Sequence, residues 1–172
     1  MAEDIYQKIV FTSFDSIIGK IFIAAGSRCI FRLIINGSSE DFKSELKDFG
    51  RLSVVRDDIV LKPVVQALKQ YFNGVHVDFK YKLCPLGSYF QKRVWDALLK
   101  IPYGKTVSYK DVAQMINIPN TSRAVGNACG KNPIPIIIPC HRVIASDKRL
   151  GGYSSGLEIK KKLLELESLS CR

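Results

Sequence analysis

The chain has 172 residues, 47% of them hydrophobic and 24% charged, a balance that can bury a core and that excludes wholesale disorder. No apolar run approaches the roughly 20 residues that a membrane-spanning helix needs. The acidic start at residues 1–4 has none of the apolar character of a secretory signal. We therefore expect an intracellular protein without a membrane partner, cytoplasmic in a prokaryote or nuclear in a eukaryote.

The net charge of +10 is concentrated in the second half of the chain. Residues 1–86 hold 12 basic and 10 acidic side chains, whereas residues 87–172 hold 14 and 6. A basic half-chain favours a polyanionic partner such as a nucleic acid. Charge alone leaves a well-solvated surface as an equally good interpretation.

The cysteines are five in number and lack any C-x-x-C spacing, and the chain has only two histidines. In a chain without a secretory signal this pattern argues against a disulfide framework, and we expect no structural metal. The cysteines are interpreted as buried apolar residues unless their context says otherwise. They are Cys29, Cys84, Cys129, Cys140 and Cys171.

The first domain, residues 1–84, is predicted to be a small α+β unit. Turn residues separate three runs rich in Ile, Phe and Val, which predicts an antiparallel meander over 8–13, 20–25 and 30–35. A helix capped by Ser39 is expected to run to Phe49, with Gly50 as its stop. A second helix starts near Pro63 and ends at Asn73-Gly74.

The second domain, residues 85–172, is predicted to be helical and to follow a linker over 84–88. The expected helices begin at Ser88, at the capping box Ser108-x-x-Asp111, and at Thr121 or Ser122, and a last helix covers 157–169. The two middle helices, joined by a short turn, indicate a helix-turn-helix of winged-helix type. In the last helix the run Lys160-Lys161-Lys162 is expected to be mostly solvated.

The most unusual stretch lies between the third and the last of these helices and reads NPIPIIIPCHRV over 132–143. Its prolines stiffen the loop and its isoleucines are expected to bury it. Cys140 is followed by His141 and Arg142, and such neighbours lower the pKa of a thiol and favour the nucleophilic thiolate. An inert buried cysteine is the alternative, since adjacent side chains in a strand point to opposite faces.

The longer string resembles the active-site signature of the O6-alkylguanine-DNA alkyltransferases. The likeness spans roughly residues 90–168 and continues through PYGKTVSY at 102–109, SRAVG at 122–126, GGYS at 151–154 and LLELE at 163–167. It implies that the first domain is RNase H-like. It also implies DNA repair by direct reversal, in which one alkyl group passes irreversibly from O6-alkylguanine, and from O4-alkylthymine, to the protein itself.

The resemblance assigns the chemistry to four side chains. Cys140 is the nucleophile and alkyl acceptor, and His141 takes its proton through a water molecule. Glu167 orients the imidazole, and Tyr109 donates a hydrogen bond or a proton to the departing base. A core tyrosine and a surface glutamate are the plain alternatives for the last two.

Further residues match the pocket for the flipped base. The Ser154 N–H matches a donor to O6, and the carbonyls of Cys140 and Val143 match acceptors for the exocyclic amine. Pro135 and Tyr153 match apolar walls around the alkyl group. These groups would read guanine and stabilise it as a leaving group.

The DNA contacts implied by the resemblance lie on the helix that follows residue 121. Arg123 matches a finger that fills the gap left by the flipped base from the minor groove. Asn132 matches a hinge between this helix and the active-site loop, although a simple helix cap would also explain it. The other residues matched to DNA contacts are Ser122, Ala124, Gly126 and Ala128.

The sequence therefore predicts a single-turnover alkyltransferase that acts as a monomer on double-stranded DNA and needs no cofactor. The alternative is a winged-helix DNA-binding protein, a lesion sensor or a regulator, with an inert cysteine. A Cys-His hydrolase is a third class, but the chain has no recognisable oxyanion-hole motif.

Overall fold

The computed structural model describes residues 8–26, 29–47, 49 and 53–169. The chain forms two compact units, Met1–Pro85 and Leu86–Arg172, so the division falls one residue from the predicted boundary. The predicted α+β class is confirmed, with a mixed sheet and helices in the first unit and a helical second unit. Within the described residues, every helix is too short or too polar to span a bilayer.

The first unit is built on a four-stranded sheet of order β3-β2-β1-β4. Strands β1 (Lys8–Ser16), β2 (Gly19–Ala25) and β3 (Ile30–Ile35) form the predicted antiparallel meander. Strand β4 (Ser53–Arg56), which the sequence analysis missed, pairs parallel with β1. Strand β4 has four residues, of which one is partly buried and three are exposed. It therefore shows no alternation of apolar and polar residues from which a strand could be predicted.

In the described part of this unit, two helices accompany the sheet. Helix α1 (Ser39–Lys47) buries Phe42 and Leu46 against the apolar sheet residues Ile9, Phe11, Phe22, Ala24 and Phe31. The predicted cap at Ser39 is wrong by one residue, because the Ser38 hydroxyl accepts the Asp41 N–H at 3.0 Å. The predicted stop at Gly50 lies outside the described residues. Helix α2 (Lys62–Phe72) has Pro63 in its first turn and ends at Asn73-Gly74, as predicted.

A disulfide joins Cys29 to Cys84 in the first unit, which corrects the expectation that the cysteines are unpaired. The backbone of Ile30 accepts the Cys84 N–H at 2.9 Å and donates to the Lys82 carbonyl at 3.0 Å. This pairing adds residues 82–84 to the edge of β3 and sets the two cysteine Cα atoms 5.8 Å apart. A contact between residues 55 apart leaves no local pattern in the sequence.

Over residues 86–169 the second unit forms the α-helices α3 (Tyr89–Leu98), α4 (Tyr109–Met115), α5 (Ser122–Gly130) and α6 (Leu157–Leu169). The predicted caps Ser88 and Ser108 both form complete capping boxes. Thr121 occupies the N-cap position of α5, but its hydroxyl donates to the Ile118 carbonyl and caps no N–H. Strands β5 (Val107–Ser108) and β6 (Val143–Ile144) pair in parallel at the start of α4.

Candidate active site

Residues 132–140, which lead from α5 to the active-site cysteine candidate Cys140, are all buried, as the prolines and isoleucines of this segment predicted. Ile136 has φ of 75°, a left-handed conformation that costs a β-branched residue about 1–3 kcal/mol and that the surrounding core must hold in place. Asn132, two residues after the end of α5, forms side-chain hydrogen bonds with the backbone of this segment. Its Nδ2 donates to the Ile138 carbonyl at 2.8 Å, and its Oδ1 accepts the Ile134 N–H at 3.0 Å.

Cys140 begins a 3₁₀ turn over Cys140–Arg142 and is 4% exposed. Asn132 Nδ2 donates to its sulfur at 3.0 Å. Burial raises the pKa of the thiol to about 11, although the Asn132 amide and the Lys160 ammonium act in the opposite direction. The expectation of a lowered thiol pKa is therefore wrong, because desolvation outweighs the neighbouring donors and charges. At neutral pH the thiol of Cys140 is therefore protonated, and it would need a base to act as the predicted nucleophile.

His141, the predicted base, follows Cys140 in the chain and is fully buried. Its Nε2 is 2.8 Å from Oε1 of Glu167, a residue of α6 that is 1% exposed. Burial lowers the pKa of His141, although Glu167 opposes this. Burial would raise the pKa of Glu167, but hydrogen bonds from His141 and Arg142 outweigh it and lower that pKa to about 2. A neutral imidazole therefore faces an ionised carboxylate.

Arg142 and the Gly104 N–H also donate to this carboxylate, and neither was assigned from the sequence. Arg142 donates from Nε to Oε2 and from Nη2 to Oε1, each at 2.9 Å. The Gly104 N–H donates to Oε2 at 3.0 Å from the turn that precedes β5. The motif at 102–105 thus closes over Glu167, which explains why a glycine with φ of 70° stands in that turn.

Tyr109, the first residue of α4, lies half-buried beside the same site. Burial raises the pKa of its phenol, with additional contributions from the charges of Cys129 and Cys140. A Cβ at Gly151, whose φ is 69°, would stand 2.7 Å from the Tyr109 hydroxyl, so this position must be glycine. A Cβ at Gly126 of α5 would stand 3.7 Å from the ring of Tyr109, which is ordinary contact distance.

The lysine run was expected to be mostly solvated, and Lys161 and Lys162 are exposed, but Lys160 is fully buried. Its Nζ donates to the carbonyls of Val143 at 2.6 Å, Gly152 at 3.4 Å and Leu150, and it lies 6.0 Å from the centre of the Tyr109 ring. Lys160 thereby joins α6 to the segment after Cys140. The spacing of Lys160, Leu163 and Glu167 places all three on one helical stripe, which is the signal that the sequence contained.

The other predicted pocket residues are distributed over the same region. Pro135 and Val143 are buried, Ser154 is exposed, and Tyr153 is half-buried with a buried hydroxyl. Burial and the charge of Cys140 raise the pKa of Tyr153 well above its ordinary value. Over the described ranges, no group of His, Cys, Asp and Glu side chains is arranged to hold a metal ion.

The predicted DNA-contacting residues of α5 divide between two faces. Arg123 and Ala124 are exposed and Ser122 is half-buried, whereas Ala128 is 2% exposed and its carbonyl accepts the Trp95 indole N–H at 2.9 Å. The assignment of Ala128 to a DNA contact is therefore corrected: three residues after the buried Val125, it lies on the inner stripe of the helix. None of the ion pairs within residues 8–169 that the structure describes involves Arg123.

Comparison with known proteins gives a consistent result. The family described as 6-O-methylguanine DNA methyltransferase, DNA binding domain, matches residues 89–169. The methylated-DNA–protein-cysteine methyltransferase of Methanosarcina barkeri is 44% identical over 162 residues, which cover 92% of this chain and 96% of that protein. The inducible enzyme of Bacillus subtilis is 40% identical, covering 87% and 79%.

The solved structures agree with these sequences. The Mycobacterium tuberculosis OGT, crystallised in complex with DNA, has a TM-score of 0.82 at 38% identity and covers 94% of each chain. Identity and coverage of this order extend beyond the helical unit to nearly the whole length. The chain therefore belongs to the methylated-DNA–protein-cysteine methyltransferase family, the O6-methylguanine-DNA methyltransferases that repair DNA by methyl transfer to a cysteine.

Proposed function

We propose that Cys140 is the cysteine that accepts the methyl group and that each chain does so once. The observation that carries this assignment is the placement of its sulfur between the Asn132 amide, at 3.0 Å, and the turn that bears the His141–Glu167 pair. Cys129 is the other described free thiol; burial raises its pKa to about 12, and no base of the network adjoins it in the chain.

In the proposed reaction the Cys140 sulfur attacks the methyl carbon of O6-methylguanine. The S–C bond forms as the C–O bond breaks, and the bonding electron pair goes to the guanine. The thiol proton passes through a water molecule to His141. Because the ionised Glu167 accepts from Nε2, the basic nitrogen of that imidazole is Nδ1. The thioether has no good leaving group, so the transfer is irreversible and the chain is consumed.

The leaving guanine would be recognised by groups around the same turn. The Val143 carbonyl accepts from Lys160 and keeps a second lone pair for the exocyclic amine. The Ser154 N–H is assigned to O6, and the Tyr109 hydroxyl donates to the base as negative charge develops. Pro135 and Tyr153 form the apolar walls of this pocket.

The proposed DNA surface is the outer face of α5, which would enter the minor groove of a duplex with Arg123 at its tip. Arg123 and Ala124 are exposed there, and small residues allow the backbone to approach the groove. Arg123 would occupy the space left by the flipped base, with Asn132 linking the helix to the active-site segment. One monomer would serve one lesion.

Intact-protein and peptide mass spectrometry after incubation with duplex DNA containing O6-methylguanine tests this proposal. We expect a gain of one methyl group, located on Cys140, that reaches a plateau at one per chain. Cys140→Ser should abolish transfer and retain DNA binding, whereas Cys129→Ser, the matched control at the second buried thiol, should keep it.

The competing function, a lesion sensor that binds without chemistry, predicts tight binding to methylated DNA with no gain of mass. A methyl group found on another cysteine would overturn the assignment of Cys140. Repeated turnover on excess DNA would overturn the single-use mechanism.

A further inference from the structure

We propose that Arg142 is a positioning residue of methyl transfer, which fixes Glu167 and keeps His141 in the neutral form that can accept the thiol proton. This inference rests on the proposed function of Cys140 and His141. It adds a third side chain to the pair assigned from the sequence.

The guanidinium of Arg142 contacts the Glu167 carboxylate, the Ile101 carbonyl and the Tyr103 ring. Nε and Nη2 form a two-pronged contact with both oxygens of Glu167, and Nη1 donates to the Ile101 carbonyl at 2.7 Å. The guanidinium carbon lies 5.6 Å from the centre of the Tyr103 ring. The side chain is 11% exposed, whereas the surface pair of Arg149 and Asp147 is 83% and 51% exposed. Arg142 is therefore a fixed part of the site.

The carboxylate of Glu167 accepts hydrogen bonds from His141, Arg142 and the Gly104 N–H. Oε1 accepts from both His141 Nε2 and Arg142 Nη2, and Oε2 accepts from Arg142 Nε and the Gly104 N–H. The fork fixes the plane of the carboxylate, and that plane sets the orientation of the imidazole. A lysine in place of Arg142 would supply the charge but not the fork.

The charge of Arg142 also acts on the imidazole directly. The charged side chains whose fields reach His141 come from α6 and from its own turn: Glu167, Lys160 and Arg142. Helix α3 also packs against this turn, but it exposes its charged Lys92 and Asp96 and directs Arg93 to the Ile116 carbonyl. Without Arg142, the field of Glu167 would be less compensated and the imidazolium would be favoured.

The direction of the pH effect follows from the role of the base. His141 must be neutral to take the thiol proton, so the rate falls as the pH drops through its pKa. Removal of the Arg142 charge raises that pKa, and the acidic limb of the rate profile moves to higher pH. An arginine that served only to hold the fold would lower the rate at every pH and leave the limb in place.

The experiment measures the single-turnover rate of methyl transfer from methylated duplex DNA, at saturating DNA, as a function of pH. For Arg142→Met we expect a rate loss at neutral pH and an acidic limb shifted upward by about one pH unit, as for loss of one nearby charge. Arg142→Lys should keep the limb near its wild-type position and lower the plateau. Arg149→Met, which breaks the exposed pair, is the matched control and should change neither.

Several results would overturn the proposal. These are an unshifted limb in Arg142→Met, a limb shifted equally in Arg142→Lys, or wild-type rates in both variants. If Arg142→Met does not fold, judged by its thermal transition, Arg142→Lys still gives a decision, because an unchanged plateau would exclude a need for the fork. Failure of the proposed function is distinguishable, since wild-type protein would then carry no methyl group on Cys140.

Discussion

Reduction of the Cys29–Cys84 disulfide is expected to destabilise the first unit by about 4 kcal/mol. The bond closes a loop of 55 residues, and the chain-entropy relation for a loop of that length gives this value at ~25 °C. The edge pairing of Ile30 with residues 82–84 would lose its covalent support at the same time. The loss is large compared with the total stability of a small domain.

Urea denaturation with and without a thiol reductant measures this effect. For a slope of about 2 kcal/mol per molar urea, the midpoint should fall by about 2 M on reduction. Far-UV circular dichroism follows the secondary structure of both units, whereas fluorescence of Trp95, the only tryptophan, follows the second unit and should respond less.

The double variant Cys29→Ser/Cys84→Ser provides the control for this measurement. Its midpoint should lie near that of the reduced wild-type protein and should not respond to reductant. Each single variant should be as destabilised as the double variant, because either one removes the whole cross-link. A wild-type midpoint that is indifferent to reductant would refute the bond, since it would mean that the two sulfurs are not joined.

Three further outcomes are expected. Lys160→Met should slow methyl transfer more than tenfold, because hydrogen bonds to a charged group are worth about 1.5–3 kcal/mol each. In the same single-turnover assay Lys161→Met, at the exposed neighbour, should keep the rate within about twofold of wild type. Arg123→Ala should slow repair of duplex DNA about tenfold at saturating DNA, since flipping costs a few kcal/mol, and leave reaction with free O6-methylguanine unchanged; equal slowing of both would contradict the finger. In acid-unfolding experiments the stability should decline in two stages. It should fall below about pH 6.5, because the folded-state pKa of His141 lies below 6.5, and again between about pH 4.5 and 2 as the carboxylate of Glu167, whose folded-state pKa is about 2, is protonated. An unchanged second stage in Glu167→Gln would contradict this assignment.

Local sequence signals predicted the parts of the fold that local interactions determine. The meander follows from runs of β-branched residues between turns, and the capping boxes at Ser88 and Ser108 follow from residues three positions apart. Strand β4 and the Cys29–Cys84 bond depend on partners that are distant in the chain. No periodicity within a short window records either contact.

The sequence analysis proposed the thiol, the imidazole and the carboxylate of the site, but it did not assign the charged side chains of Arg142 and Lys160 to it. The string around Cys140 led to the prediction of the thiol and the imidazole, and the resemblance added the distant Glu167; the structure brings His141 and Glu167 together, and their catalytic roles stay predictions. The composition of the lysine run at 160–162 suggested a surface, but helical spacing places Lys160 on the stripe of Glu167. The helical period, applied to charged as well as apolar residues, would have predicted that Lys160 is buried.

The raised pKa of the Cys140 thiol suits a protein that reacts once. A thiolate formed in advance would react with any small electrophile that entered the site and would consume the chain without repair. Burial keeps this sulfur protonated, and in the proposed mechanism the network of His141, Glu167 and Arg142 takes the proton as the sulfur attacks the substrate carbon. In this proposal, desolvation makes the resting thiol a weak nucleophile. The thiol would therefore react only with a guanine held in the pocket, where the groups around it stabilise the leaving group as it forms.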